Sequence, residues 1–177
     1  MRRIAAYASA FLALVLIVSV PPVAWAGPAD LKWLFGTWKV TAVRIDETLP
    51  RTPAYDIDDP ELLGRVVVVS GERISTTMPE GTCRNPQATR KTVTIDNLIE
   101  QTMGKGKYGG NQSNKFDLPV DPKKAVDVLW VKCREGHFGP DYPFGPKGCN
   151  WITKLSKDKA AMRWYDNTIL ILKREGR

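Results

Sequence analysis

Histidine is almost missing from this chain: His137 is the only one in 177 residues. One imidazole cannot build a multi-histidine metal centre, and the Cys-x-x-Cys-His needed for covalent haem does not occur. No Gly-x-Ser-x-Gly marks a nucleophile elbow, and spacing singles out no pair of carboxylates for acid/base work. The stretch from Gly104 to Gly110 is rich in Gly and Lys but lacks the Gly-Lys-Ser/Thr ending of a phosphate loop. Asp56, Asp58, Asp59 and Glu61 lack the alternating ligands, central glycine and distal glutamate of an EF-hand loop. These absences argue against an enzyme, a bound metal or a cofactor.

Nucleic acid is not an expected partner either, because there is no basic helix, zinc spacing or RNA-reading aromatic motif. A bilayer-length apolar run is also missing. The run from Ala10 to Val20 falls short of the ~20 residues that a span needs, and Pro21-Pro22 ends it. With Arg2-Arg3 before it and Ala24-Trp25-Ala26 after it, residues 1–26 read as a cleaved secretory signal peptide. The expected mature chain, 27–177, is one domain with no membrane span, free in a periplasm or outside the cell. Of 26 Lys and Arg, the segment removes two, leaving 24 against 19 acids and a balance of +5. That charge favours solubility and weak attraction to anionic surfaces.

Cysteine is scarce, with Cys83, Cys133 and Cys149. In an oxidising compartment two of the three should pair. Cys133 and Cys149 flank a Gly/Pro-rich loop at the mouth of an expected hairpin, and the reading leans to that pair. Cys83 with either of the others would close a longer loop, so loop entropy does not choose between them.

What the mature chain does contain is period-two hydrophobicity. Trp38, Val40 and Ala42 alternate with Lys39 and Thr41, which predicts a first strand. Val66 to Val69, Arg73 to Thr77, Lys91 to Ile95, Leu98 to Met103, Val126 to Cys133 and Trp151 to Leu155 are further strand candidates. The clearest hairpin joins Lys159–Tyr165 to Thr168–Lys173 through Asp166-Asn167, residues that tolerate the positive φ of a two-residue loop. That turn would set Trp164 opposite Ile169 and put Arg163 on the face away from Met162 and Trp164. Helix signals are few, and Asp59-Pro60 with a terminating Gly64 reads as one short helical turn. The prediction is an all-β antiparallel fold of eight to ten strands, a barrel or a sandwich.

Gly36-Thr37-Trp38, preceded by Leu34-Phe35, resembles the opening of the lipocalin and calycin superfamily, whose first strand begins Gly-x-Trp. Members also carry a late Arg that packs across that indole, and Arg163 is the matching candidate here. A guanidinium stacked on Trp can also satisfy strand-end carbonyls, which seals a barrel end. The Thr-Asp-Tyr-like middle turn of many lipocalins is absent. The resemblance implies a lipocalin-like barrel, with Gly36, Trp38 and Arg163 structural, that binds a small apolar molecule. A thinner resemblance, to small bacterial envelope domains with a Gly-Cys-Asn element, rests on Gly148-Cys149-Asn150.

Two sets of residues are candidates for binding. Trp130 and Trp151 would line the interior if the barrel is hollow. His137, Phe138, Tyr142 and Phe144 lie in a Gly/Pro-rich loop at 134–147. Rings held on such a loop lose little entropy on contact, which suits an envelope protein partner or an inhibitor role.

Overall fold

The computed structural model describes residues 28–78, 82–104, 110–140 and 150–176. The expected signal peptide, Tyr142, Phe144 and Cys149 lie outside them. A 3-10 turn (Pro28–Leu34) leads into β1 (Gly36–Arg44), followed by β2 (Val66–Val69), β3 (Arg73–Thr76), β4 (Cys83–Arg84) and β5 (Gln87–Thr94). The helix α1 (Ile95–Thr102) comes next, then β6 (Ala125–Lys132), β7 (Glu135–Gly136), β8 (Trp151–Lys154), β9 (Lys159–Arg163) and β10 (Ile169–Arg174).

The strands form one antiparallel sheet in the order β5-β6-β8-β9-β10-β1-β2-β3-β4-β7. β4 and β5 are parts of one strand, interrupted at Asn85-Pro86, where a positive φ of 47° and a missing N–H break the ladder. β6 and β7 are likewise parts of one strand. Cys83↔Gly136 and Gln87↔Lys132 keep a single register across the gap. The sheet order therefore starts and finishes on one hairpin, and the sheet is curled. Period two accounts for most of these strands, and the fold is mostly antiparallel β with one α-helix.

That helix is a departure. Leu98 to Met103 reads as a strand in the sequence, but it lies in and just after α1. Ile95, Leu98, Ile99 and Met103 are all buried, and their spacing puts them on one face. Thr94 caps the helix, its hydroxyl accepting from Asn97 N at 3.2 Å. The short turn at Asp59 forms as expected. The Asp59 carboxylate accepts from Glu61 N at 2.8 Å, Leu63 N donates to Asp59 O at 2.9 Å, and Gly64 ends the turn at φ 76°.

Two bulges set which side chains face inward. In β1, Val40 pairs with Leu172 and Ala42 with Ile171, so Thr41 is an extra residue. Its hydroxyl donates to Ile171 O at 3.2 Å. Alternation flips there: Trp38, Val40 and Val43 face inward, whereas Ala42, expected beside them, joins the outer face. In the last hairpin, Asp166 and Asn167 do take positive φ, 52° and 55°. However, Trp164 N and Thr168 N bond to Thr168 O and Tyr165 O, so Trp164 and Tyr165 together oppose Thr168. Ile169 then pairs with Arg163 rather than with Trp164.

A one-residue slip exchanges the faces of every following residue. Met162 and Trp164 therefore share the inner face with Leu170 and Leu172, while Ala161, Ile169 and Ile171 lie outside. The inner cluster draws on all parts of the sheet and includes Leu31, Leu34, Trp38, Phe138 and Trp164. The outer cluster holds α1 against β6, β8, β9 and β10.

The disulfide joins Cys83 to Cys133, with Cα atoms 5.1 Å apart, which corrects the expected Cys133–Cys149 pair. The reason lies in strand pairing: β4 runs beside β7, so Cys83 meets the chain just after β6. A crosslink across 50 residues restrains the unfolded chain by about 4 kcal/mol on the loop-entropy model.

Candidate functional site

The 3-10 turn before β1 buries Leu31 and Leu34 beneath the sheet's end and leaves Trp33 and Phe35 half-buried at its rim. Trp38 is completely buried, and its indole N–H donates to Leu34 O at 2.7 Å. The Trp33 ring meets it edge-on at 6.3 Å. Over the other side of Trp38 lies the guanidinium of Arg174, its carbon 4.2 Å from the ring centroid. Arg174 Nη1 donates to Phe35 O at 2.5 Å and Nη2 to Trp33 O. One cation thus closes the indole and satisfies two carbonyls where the turn enters the strand.

The expected Arg163 does not occupy this position. It sits on the outer face, 5% exposed, with Nη2 donating to Asn167 Oδ1 at 2.8 Å. It keeps the expected face, away from Met162 and Trp164, but that face is the outer one. Its partner Ile169 starts β10, whereas Arg174 at the far end of β10 lies directly opposite Trp38. Gly36 is explained by the same contact. Its φ is 122°, and a Cβ there would lie 3.1 Å from Arg174 Nη1.

Beside this pair opens a cleft of about 990 Å³, lined by Lys32, Trp33, Phe35, Lys157, Asp158 and Arg174. Trp33 and Phe35 supply an aromatic wall, and the β8–β9 turn supplies Lys157 and Asp158. Arg174 N donates to Asp158 O at 2.8 Å, which fixes that turn against the end of β10. The Asp158 carboxylate accepts from Ser156 Oγ at 2.7 Å. This hydrogen bond, with smaller contributions from Lys173 and Lys159, holds its pKa below the ordinary carboxylate value. The cleft therefore has an apolar wall and a charged rim with a cationic excess. A second cleft of about 410 Å³, by the first turn of α1, is lined by polar and acidic groups such as Asp96, Glu100 and Asp121.

The residues expected to bind are dispersed. Trp130 and Trp151 pair across β6 and β8 but face outward, in contact with the cluster under α1, because inward positions on β6 fall to Leu129 and Val131. Trp151 Nε1 donates to Thr102 Oγ1 at 3.0 Å, and Lys91 Nζ lies 5.3 Å from the Trp130 ring centroid. Neither indole lines the interior. Phe138 is not presented for contact: it is 1% exposed and meets Trp164 edge-on at 6.2 Å, at the end of the sheet opposite Trp38. His137 is half-buried, and the rest of the expected binding loop, with Tyr142 and Phe144, lies outside the described residues.

Sequence reasoning missed Arg174, Trp33, Phe35 and Lys157. The signal for Arg174 was present: Leu170, Leu172 and Arg174 alternate on one face. It becomes readable only once the bulge before Thr168 is known. No family model matches the chain, and no curated protein or solved structure shows significant similarity to it.

Proposed function

We propose that this is an exported, non-catalytic binding protein, built on a lipocalin-like barrel, that carries a small apolar ligand. The observation that carries the proposal is the cleft of about 990 Å³ walled by Trp33 and Phe35. Its size falls in the range of small-molecule sites, which combine an apolar lining with a few polar groups. The Gly36-Trp38-Arg174 arrangement and a sheet whose order returns to its starting hairpin support the barrel reading. The Cys83–Cys133 disulfide agrees with an oxidising compartment, and no helix among the described residues is long and apolar enough to cross a membrane.

A neutral fluorescent probe, N-phenyl-1-naphthylamine, tests the reading. The mature protein should bind it saturably at one site, and Trp33→Ala with Phe35→Ala should weaken binding at least severalfold while near-UV circular dichroism stays folded. Absence of saturable binding, or binding indifferent to both changes, would overturn the assignment of the cleft.

A further inference from the structure

Lysines stand both at this cleft and on the outer face of the sheet beside it. Lys39, Lys173 and Lys159 stand directly opposite one another on β1, β10 and β9, and all three are exposed. Like charges at directly opposed positions repel, and such a row is disfavoured unless something neutralises it. Among the described residues none of the three forms an ion pair within 4.0 Å. The row lies on the outer face of the sheet. Beside the Ser156 hydroxyl, Lys173 and Lys159 lower the pKa of Asp158, but they do not line the cleft, whose own cations are Lys32, Lys157 and Arg174.

Asp158 is the one acid among the lining residues, and its carboxylate already accepts from Ser156. Lys32, Lys157 and Arg174 outnumber it at the rim. An apolar wall beside a cationic rim fits a molecule with two chemically distinct ends.

We infer that the ligand of this cleft is an anionic amphiphile. Its apolar chain lies on Trp33 and Phe35, and its acidic head group, a phosphate or a carboxylate, is held by Lys32 and Lys157. This rests on the reading of the cleft as the binding site and adds the charge of the ligand to it. The lysines act through charge rather than fixed geometry, so the head group's sign matters more than its shape.

Dodecyl phosphate and dodecanol, titrated below their aggregation limits, carry the test, with inorganic phosphate as a third arm. Dodecyl phosphate should bind about tenfold more tightly than dodecanol at low salt, as expected for a few exposed ion pairs acting together. The preference should shrink towards unity in the variant K32Q/K157Q and in high salt, where exposed charges are screened. Both side chains are exposed, so the fold stays intact, which thermal unfolding would verify. Equal binding of phosphate and alcohol overturns the inference and leaves the cleft assignment standing. Binding of neither overturns both. Tight binding of inorganic phosphate alone, with no gain from the chain, overturns the amphiphile and leaves a simple anion site.

Discussion

Arg174 lies directly opposite Trp38 across the β1–β10 ladder, and its guanidinium carbon is 4.2 Å from the indole centroid. The contact joins the final strand to the first and fixes the turn that carries Trp33 and Phe35.

Replacing Arg174 with Ala should destabilise the protein by about 2–4 kcal/mol, since a cation–π contact and two charge-assisted hydrogen bonds are lost together. Lys should recover only part of this, because an ammonium cannot reach both carbonyls in a planar fork. Urea unfolding measures the loss. The Trp38 indole N–H resonance should shift in R174A and remain in place in R163A. The opposite pattern would return the capping role to Arg163.

The misassigned arginine shows what was legible. The Gly-x-Trp element and the period-two strands stand in the sequence because local alternation records which residues share a face. The bulges at Thr41 and at Trp164-Tyr165 do not, since an extra residue is fixed by tertiary packing against the neighbouring strand. Each reverses the facing of everything beyond it, so Ala42 and Ile169 were placed on the wrong side. Arg163, which precedes its bulge, kept its expected face and fails as the cap because that face is the outer one. The cleft was illegible for a different reason: Trp33, Phe35 and Lys157 come together only when the β8–β9 turn meets the segment before β1.

Pairing of Cys83 with Cys133 leaves Cys149 as the odd cysteine of the chain. Peptide mapping under non-reducing conditions should recover the 83–133 link, and the denatured, unreduced protein should show one titratable thiol that C149S abolishes. The double variant C83S/C133S should lose about 4 kcal/mol, in keeping with the long loop it opens. A mapped 133–149 link would refute the pairing.

Asp158 offers a pH test at the cleft rim. Its pKa in the folded protein is lowered, chiefly by the Ser156 hydroxyl. A lowered native pKa means the folded state favours the ionised form. Its stabilising contribution is therefore complete above the unfolded-state pKa and disappears as pH falls through the lower, native one. Ser156→Ala should raise the Asp158 pKa towards the ordinary carboxylate value, which carboxyl-carbon NMR titration reads directly. An unchanged pKa would mean that the nearby lysines, not Ser156, hold the carboxyl down.

The outer cluster supplies the last test, because α1 occupies a place where the sequence suggested a strand. Leu98 is fully buried between α1 and the sheet, so Leu98→Ala should cost about 2–4 kcal/mol through lost burial and the cavity left behind. Thr94→Ala removes a single cap hydrogen bond and should cost about 1 kcal/mol. Thr102→Val tests a different link, depriving Trp151 Nε1 of its acceptor 3.0 Å away. That buried donor is left unsatisfied, at about 1–3 kcal/mol. Were this segment a strand, alternate residues would point away from the sheet, and Ile95, Leu98 and Ile99 could not all be sensitive. Comparable losses at all three positions on Ala substitution, measured by chemical unfolding, therefore require the helical spacing; loss at only one or two would restore the strand.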